Sequence, residues 1–279
     1  MVTTTRALTD GQRLQFERDG FFVARGLFSQ DEVDAIRETF MTQAKDGPVP
    51  GMSEIRHGGQ DGYDSSDPLA FYPRMMMPHA HSELPVGPVA RDFMLHPRLE
   101  PFLREMLNDD PLAVQSMFYF KPPGARGQDL HQDNFYLRVK PGTCLAAWLA
   151  VDDADEENGG MVVVPETSDL AVACPEKSDP AKFFTSDHVA VPEGRQELPL
   201  QLQAGDVLFF NGSVIHGSYP NTSKDRFRRA LICHYVPATS QELAHWYVNP
   251  TTFDGQVVSI PEAVGGGPCG VAQDAMGRH

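Results

Sequence analysis

Between residues 113 and 236 the chain breaks repeatedly into short apolar, β-branched and aromatic runs, at 113–120, 144–151, 161–164, 207–210 and 230–236. Turns rich in Gly, Pro and Asp separate them. Runs this short, with turn residues at both ends, read as strands, and many such strands in succession point to a β-sandwich, jelly roll or barrel. The first hundred residues have a different character. Thr9 caps a short helix, with Gln12 three residues on, and Phe21, Phe22 and Val23 follow the turn at Asp19-Gly20 as a buried strand. Ser29 caps a helix over 30–44, whose Val33, Ile36, Phe40 and Met41 share one face. Further helices are expected over 89–94 and 99–107, ended by Asp109-Asp110-Pro111. The stretch 46–81 is rich in Gly, Pro, Ser and Met, without sustained periodicity. Within it, Met75-Met76-Met77-Pro78-His79-Ala80-His81 reads either as an adaptable apolar segment ending in a turn or as a lid or pocket wall that turns His79 or His81 toward a site. The stretch 171–195 is a polar excursion near a sheet mouth, and the tail beyond 249 is extended. No internal repeat or linker divides the chain, so 1–279 is expected to be one domain, mainly β with flanking helices.

Within this frame the tripeptide His131-Gln132-Asp133 carries the chemistry. On a strand, residues i and i+2 share a face, so the imidazole and the carboxylate can aim at one point. His216, in a turn-and-strand context remote in sequence, is the candidate third ligand. Two histidines and one carboxylate form the facial triad of non-heme Fe(II) oxygenases, which leaves open positions on the metal. Arg228 and Arg229 stand shortly after His216 at the start of a strand. One of the two must point inward, where a guanidinium can grip a carboxylate with two hydrogen bonds.

The formal net charge of −15 disfavours nucleic acid and anionic membranes as partners, because no basic field is available to neutralise phosphates. The four cysteines, Cys144, Cys174, Cys233 and Cys269, show no CxxC spacing. No disulfide framework or structural zinc site is expected from them, and Cys144 and Cys233 read as small core residues. The N-terminus lacks the apolar run of a signal peptide, and nowhere do about 18 apolar residues occur together. The expectation is a reduced, cytoplasmic protein.

Several segments resemble, in order, the phytanoyl-CoA dioxygenase family. They are Met117-Phe118-Tyr119-Phe120-Lys121-Pro122-Pro123-Gly124, Leu130-His131-Gln132-Asp133 and Asn158-Gly159-Gly160-Met161-Val162-Val163-Val164-Pro165. Gly205-Asp206-Val207-Leu208-Phe209-Phe210, His216-Gly217-Ser218 and Phe227-Arg228-Arg229-Ala230-Leu231 continue the series. The resemblance implies a double-stranded β-helix (jelly roll, cupin-like), Fe(II) as the metal and 2-oxoglutarate as cosubstrate. It implies that His131, Asp133 and His216 hold the iron. Arg228 matches the residue that binds the distal carboxylate of 2-oxoglutarate, with Arg229 left open as the alternative. Met117, Trp148 and Ser218 match positions lining the cosubstrate pocket, and Gln115 matches a polar cosubstrate contact. The family's early cosubstrate-binding lysine has no clear counterpart, and His79 stands near that place. Asp133 is present where halogenating relatives have a small residue, which argues against halogenation.

The reaction so implied couples oxidative decarboxylation of 2-oxoglutarate to oxidation of a substrate C–H bond by dioxygen. Phe135, Tyr136 and Arg138, just after the metal motif, are the candidate substrate contacts. No basic cluster suits the phosphates of coenzyme A. Relatives in bacterial natural-product pathways hydroxylate, desaturate or cyclise small metabolites, including sugars of aminoglycoside-type antibiotics, and the acidic surface suits a polar or cationic molecule of that kind. The alternative is a non-oxidative, cupin-like metal-dependent hydrolase or binding protein built on the same triad.

Overall fold

Thr9 and Ser29 start helices as their spacing predicts. Thr9 accepts the backbone N–H of Gln12, and the Gln12 side chain returns to the Thr9 N–H at 2.8 Å. This closes a capping box at the head of α1 (Asp10–Asp19). Gly20 ends that helix with φ 80° and leads into β1 (Phe21–Ala24). A Cβ at Gly20 would stand 2.4 Å from Val214 Cγ2, so only glycine fits. Ser29 and Glu32 close a second capping box on α2 (Gln30–Lys45). The computed structural model describes residues 7–54, 66–247, 249–264 and 268–270. Part of the 46–81 stretch (55–65) and the glycines 265–267 of the expected tail lie outside the described residues.

After α2 the chain forms α3 (Pro68–Phe71), β2 (Met75–Met76), α4 (Val86–Met94) and α5 (Glu100–Leu107). The β-rich part follows with β3 (Pro111–Tyr119), β4 (Gln128–His131), the one-turn α6 (Asn134–Leu137), β5 (Leu145–Ala150) and β6 (Met161–Val164). The short β7 (Glu176–Lys177), β8 (Asp187–His188) and β9 (Leu198–Pro199) lead to β10 (Val207–Asn211), β11 (Ile215–Ser218) and β12 (Ala230–Pro237). Each strand read from the apolar runs is present, with ends within two residues of expectation.

Two antiparallel sheets face each other. One has six strands in the order β1-β10-β5-β12-β3-β2, and the other has four in the order β4-β11-β6-β9. Neighbours remote in sequence are the mark of a double-stranded β-helix, the fold class expected.

β3 and β5 of the large sheet are buried along their whole length, and β12 except at its last residue, because both faces are covered. Phe118, Leu231, Leu149 and Val207 form one cross-strand row, which packs with α2, α4 and α5 in the larger core. There Phe40 of α2 stacks on Phe118, with ring centroids 3.9 Å apart. One residue along, Met117, Ile232, Trp148 and Leu208 form a second row on the opposite face. It packs against Met161 and Val163 of the small sheet. The period-two alternation of the strands therefore separates a structural core from the inside of the β-helix, where the site lies.

The 171–195 excursion is more ordered than a loose surface insertion. Val189 donates its N–H to Leu130 O at 2.7 Å, and Gly127 exchanges backbone hydrogen bonds with Lys182 and Phe184. The excursion thus lies along β4. It is also tied to the tail, because Cys174 and Cys269 form a disulfide. This corrects the expectation that no cysteines pair. The two lie 95 residues apart in sequence, without a spacing motif, and only the folded chain brings them together. Cys144 and Cys233 are free and buried as expected. No helix among the described residues is long and apolar enough to cross a membrane.

Candidate active site and metal centre

β4 stops at His131, and Asp133 already has helical geometry (φ −59°, ψ −36°) at the N-terminus of α6. Strand alternation is therefore not what aims Asp133, contrary to the expectation. A turn does it, and Gln132 fixes that turn. Its amide donates to Ser213 O and its carbonyl accepts from Ala173 N, both at 2.7 Å, so its side chain points away from the cluster. Asn134 N–H adds a bond to Gly212 O at 2.9 Å. His216, on β11, sits in register opposite His131. As a result Asp133 Oδ1 lies 3.5 Å from His131 Nε2 and 3.6 Å from His216 Nε2. One ligand atom from each residue falls within 4.8 Å of the others, and all three residues are buried.

The outer contacts present these atoms correctly for a metal. His131 Nδ1 is 2.8 Å from Asp129 O, and His216 Nδ1 is 2.9 Å from Val214 O. A carbonyl only accepts, so each Nδ1 carries the proton and each Nε2 turns its lone pair into the cluster. Burial first, then the neighbouring His131, hold the His216 pKa down to about 4 against the pull of Asp133, which keeps the ring in the neutral form a metal requires. The donor set of two imidazole nitrogens and one carboxylate oxygen fits a non-heme iron with open positions. Gln128 Nε2 stands 3.0 Å from the same His131 Nε2.

His234 is buried on β12, and its Nε2 donates to Asp133 Oδ2 at 3.0 Å. One carboxylate oxygen is thereby held in place while the other faces the imidazoles. His234→Ala is expected to weaken divalent metal binding by about 10- to 100-fold, as loss of a partner of a ligating carboxylate does. Competition against a chelator measures this, and a change under about twofold would show that His234 does not orient Asp133.

The cluster opens on a small cavity. Met117, Trp148, Ser218 and Arg228 line it. Gln115 is fully buried but is not among the lining residues; it pairs in register with His234. Tyr119, Phe210 and Gln128, not anticipated, are part of the wall. Arg228 is 2% exposed, its Nε donates to Gly159 O at 2.9 Å, and its guanidinium carbon is 5.5 Å from the Trp148 ring centroid. Burial lowers its pKa to about 10. Arg229 instead gives its N–H, Nε and Nη2 to Asp152 at 2.7–2.8 Å. Of the two arginines left open by the sequence, Arg228 is the one at the cavity.

Phe135, Tyr136 and Arg138 are not lining residues of this cavity. Phe135 and Tyr136 pack in a separate cluster with Leu112 and Trp246, and the Tyr136 hydroxyl donates to Asp187 Oδ2 at 2.7 Å. His79 does not replace the missing lysine. Its Nδ1 is 2.6 Å from Ser116 Oγ, and Ser116 is in register with Cys233 of the helix-side core, on the face away from the cavity. Sequence reasoning missed Lys121, a cation next to an apolar run, which is buried behind the cavity wall. Its Nζ donates to Ser218 Oγ at 2.7 Å.

The family model for phytanoyl-CoA dioxygenase (PhyH) matches residues 16–230. Phytanoyl-CoA dioxygenase domain-containing protein 1 of Rattus norvegicus is 27% identical over 282 aligned positions, which cover 88% of this chain and 96% of the rat protein. Among solved structures, iron-bound EctD from S. alaskensis superimposes with a TM-score of 0.68 at 18% identity, covering 94% of this chain and 90% of that one. SnoK, a non-heme α-ketoglutarate-dependent carbocyclase of nogalamycin biosynthesis, superimposes with a TM-score of 0.63 at 22% identity, covering 84% and 86%. The family match spans both metal-ligand segments and Arg228, and it removes the non-oxidative hydrolase or binding-protein alternative. The chain belongs to the phytanoyl-CoA dioxygenase family and is an Fe(II)- and 2-oxoglutarate-dependent dioxygenase.

Proposed function

We propose that the enzyme oxidises a C–H bond of a small polar metabolite, by hydroxylation or oxidative cyclisation, with His131, Asp133 and His216 holding the iron. The bound iron, with 2-oxoglutarate and dioxygen, supplies the oxidising equivalents, and 2-oxoglutarate leaves as succinate and carbon dioxide. The chain's own residues do the rest. Arg228 grips the distal carboxylate of 2-oxoglutarate, and Ser218 donates a hydroxyl to it. Met117 and Trp148 shape the apolar wall and exclude water from the space between. His234 keeps Asp133 turned to the metal. The observation that carries this assignment is that one cavity holds both the triad and a buried guanidinium that, among the described residues, has no carboxylate in an ion pair with it. An anionic ligand is what such a group lacks.

A sugar or aminoglycoside-type natural product is the substrate class we favour. The net charge of −15 supports it, because it suits a cationic molecule and opposes the phosphates of an acyl-CoA. The fold-level likeness to a natural-product carbocyclase supports the cyclising variant of the reaction. A cytoplasmic setting supplies Fe(II) and 2-oxoglutarate, although the Cys174–Cys269 bond leans toward a more oxidising one. The test is succinate formation with Fe(II) under air, scored for stimulation by a panel of aminoglycosides, neutral sugars and acyl-CoA esters. Stimulation of about tenfold or more by a member of the first two groups is expected. Stimulation by acyl-CoA esters alone would overturn the substrate class and leave the reaction class standing.

A further inference from the structure

Lys121 is a cation that the reaction as described does not use. It stands two residues after the end of β3, is 2% exposed, and takes a left-handed backbone conformation with φ 35°. A non-glycine residue held at positive φ is strained, and such strain gathers at functional sites. Its Nζ donates to Ser218 Oγ and to Tyr219 O, both at 2.7 Å. Its own carbonyl accepts the Arg228 N–H at 3.1 Å and Asn221 Nδ2 at 3.0 Å. The stem of the side chain lies against Gly159, where an added Cβ would stand 2.5 Å from Lys121 Cδ. Gly159 is also the residue whose carbonyl holds Arg228 Nε. Lys121 is therefore bonded to both cavity residues assigned to the distal carboxylate, to Ser218 through its side chain and to Arg228 through its backbone.

The hydroxyl of Ser218 shows what this accomplishes. It accepts from Lys121 Nζ and, at 3.3 Å, from the backbone N–H of Gln128. A hydroxyl has two acceptor lone pairs and one hydrogen, so two incoming donors leave it only the role of donor. Ser218 lines the cavity, and there the hydrogen serves an anionic oxygen. Burial pushes the Lys121 ammonium well below its ordinary range, and the nearby Arg228 adds repulsion. Among the described residues no carboxylate pairs with either group. A dicarboxylate arriving beside them relieves that repulsion.

Resting on the assignment of Arg228 as the carboxylate anchor, we propose that Lys121 is a positioning residue of the distal-carboxylate subsite, fixing the Ser218 hydroxyl as a donor into the cavity. The probes are 2-oxoglutarate and pyruvate, which share the 2-oxo acid end and differ in the distal carboxylate. Their dissociation constants are measured without oxygen on Mn(II)-loaded protein by water-proton relaxation, for the wild type, Lys121→Met, Ser218→Ala and the double variant. Lys121→Met is expected to weaken 2-oxoglutarate by about tenfold or more and pyruvate by less than about twofold. The double variant should bind 2-oxoglutarate no more weakly than the worse single one, because the two residues act as a unit. Equal weakening of both probes, unchanged 2-oxoglutarate binding, or additive losses would each overturn the proposal. Lys121→Gln serves the same comparison if the methionine variant does not fold. If the wild type itself binds 2-oxoglutarate no better than pyruvate, the Arg228 anchor fails, and the Lys121 proposal falls with it.

Discussion

Asp133→Ala is expected to abolish succinate formation, by at least about a thousandfold, and to leave a folded protein. Asp133 Oδ1 faces both imidazole nitrogens at 3.5 and 3.6 Å, and among the described residues it supplies the carboxylate of the triad. Without it two neutral imidazoles remain, which hold a divalent ion weakly and leave its charge uncompensated inside the β-helix. A thousandfold corresponds to about 4 kcal/mol of lost transition-state stabilisation. The fold persists because the turn that carries Asp133 is fixed by Gln132 and by the Asn134–Gly212 bond, neither of which needs the carboxylate. Turnover, metal content after dialysis and a melting curve check this together. More than about a tenth of wild-type turnover with metal retained would remove Asp133 from the metal. Lost turnover with a collapsed melting transition would assign it to structure instead.

Arg228→Ala is expected to raise the KM for 2-oxoglutarate by about a hundredfold or more, with a smaller effect on kcat at saturating cosubstrate. Truncating one partner of a buried, hydrogen-bonded charge pair costs about 2–5 kcal/mol. Each 1.4 kcal/mol is about a tenfold change in affinity. The distal carboxylate is remote from the reacting carbon of 2-oxoglutarate, so most of the loss falls on binding. Arg228→Lys should be nearly as damaging, since an ammonium presents no planar fork for two parallel bonds. Arg229→Ala is the control. Its guanidinium is committed to Asp152, and its loss should lower stability while moving KM less than about threefold. A KM that responds to Arg229 and not to Arg228 would reverse the assignment.

The other expectations show where sequence reasoning works. Strands were read correctly because apolar runs bounded by Gly, Pro and Asp are a local signal, and the capping residues Thr9 and Ser29 act within one turn of themselves. The metal triad was legible as residue types in family order, but the reason offered for its geometry was wrong. His131 and Asp133 converge through a turn pinned by Ser213, Ala173 and Gly212, which come from three distant parts of the chain. Gln115, two residues before Met117 on β3, is buried opposite His234 and does not line the cavity. Phe135 and Tyr136 follow the metal motif in sequence, and the one-turn helix after Asp133 packs both into another core, with the Tyr136 ring edge-on to His131 at 6.4 Å between centroids.

By itself the sequence determined the strand pattern, the helix caps, the candidate metal donors and the family. These depend on local spacing or on residue type, which a linear chain displays directly. Only the tertiary structure decided which arginine enters the cavity, that His234 holds Asp133, that Lys121 reaches Ser218 and that Cys174 meets Cys269. Each of these is a pairing between segments remote along the chain. The register of the sheets and the packing of turns select such partners, and no periodicity in the sequence records them.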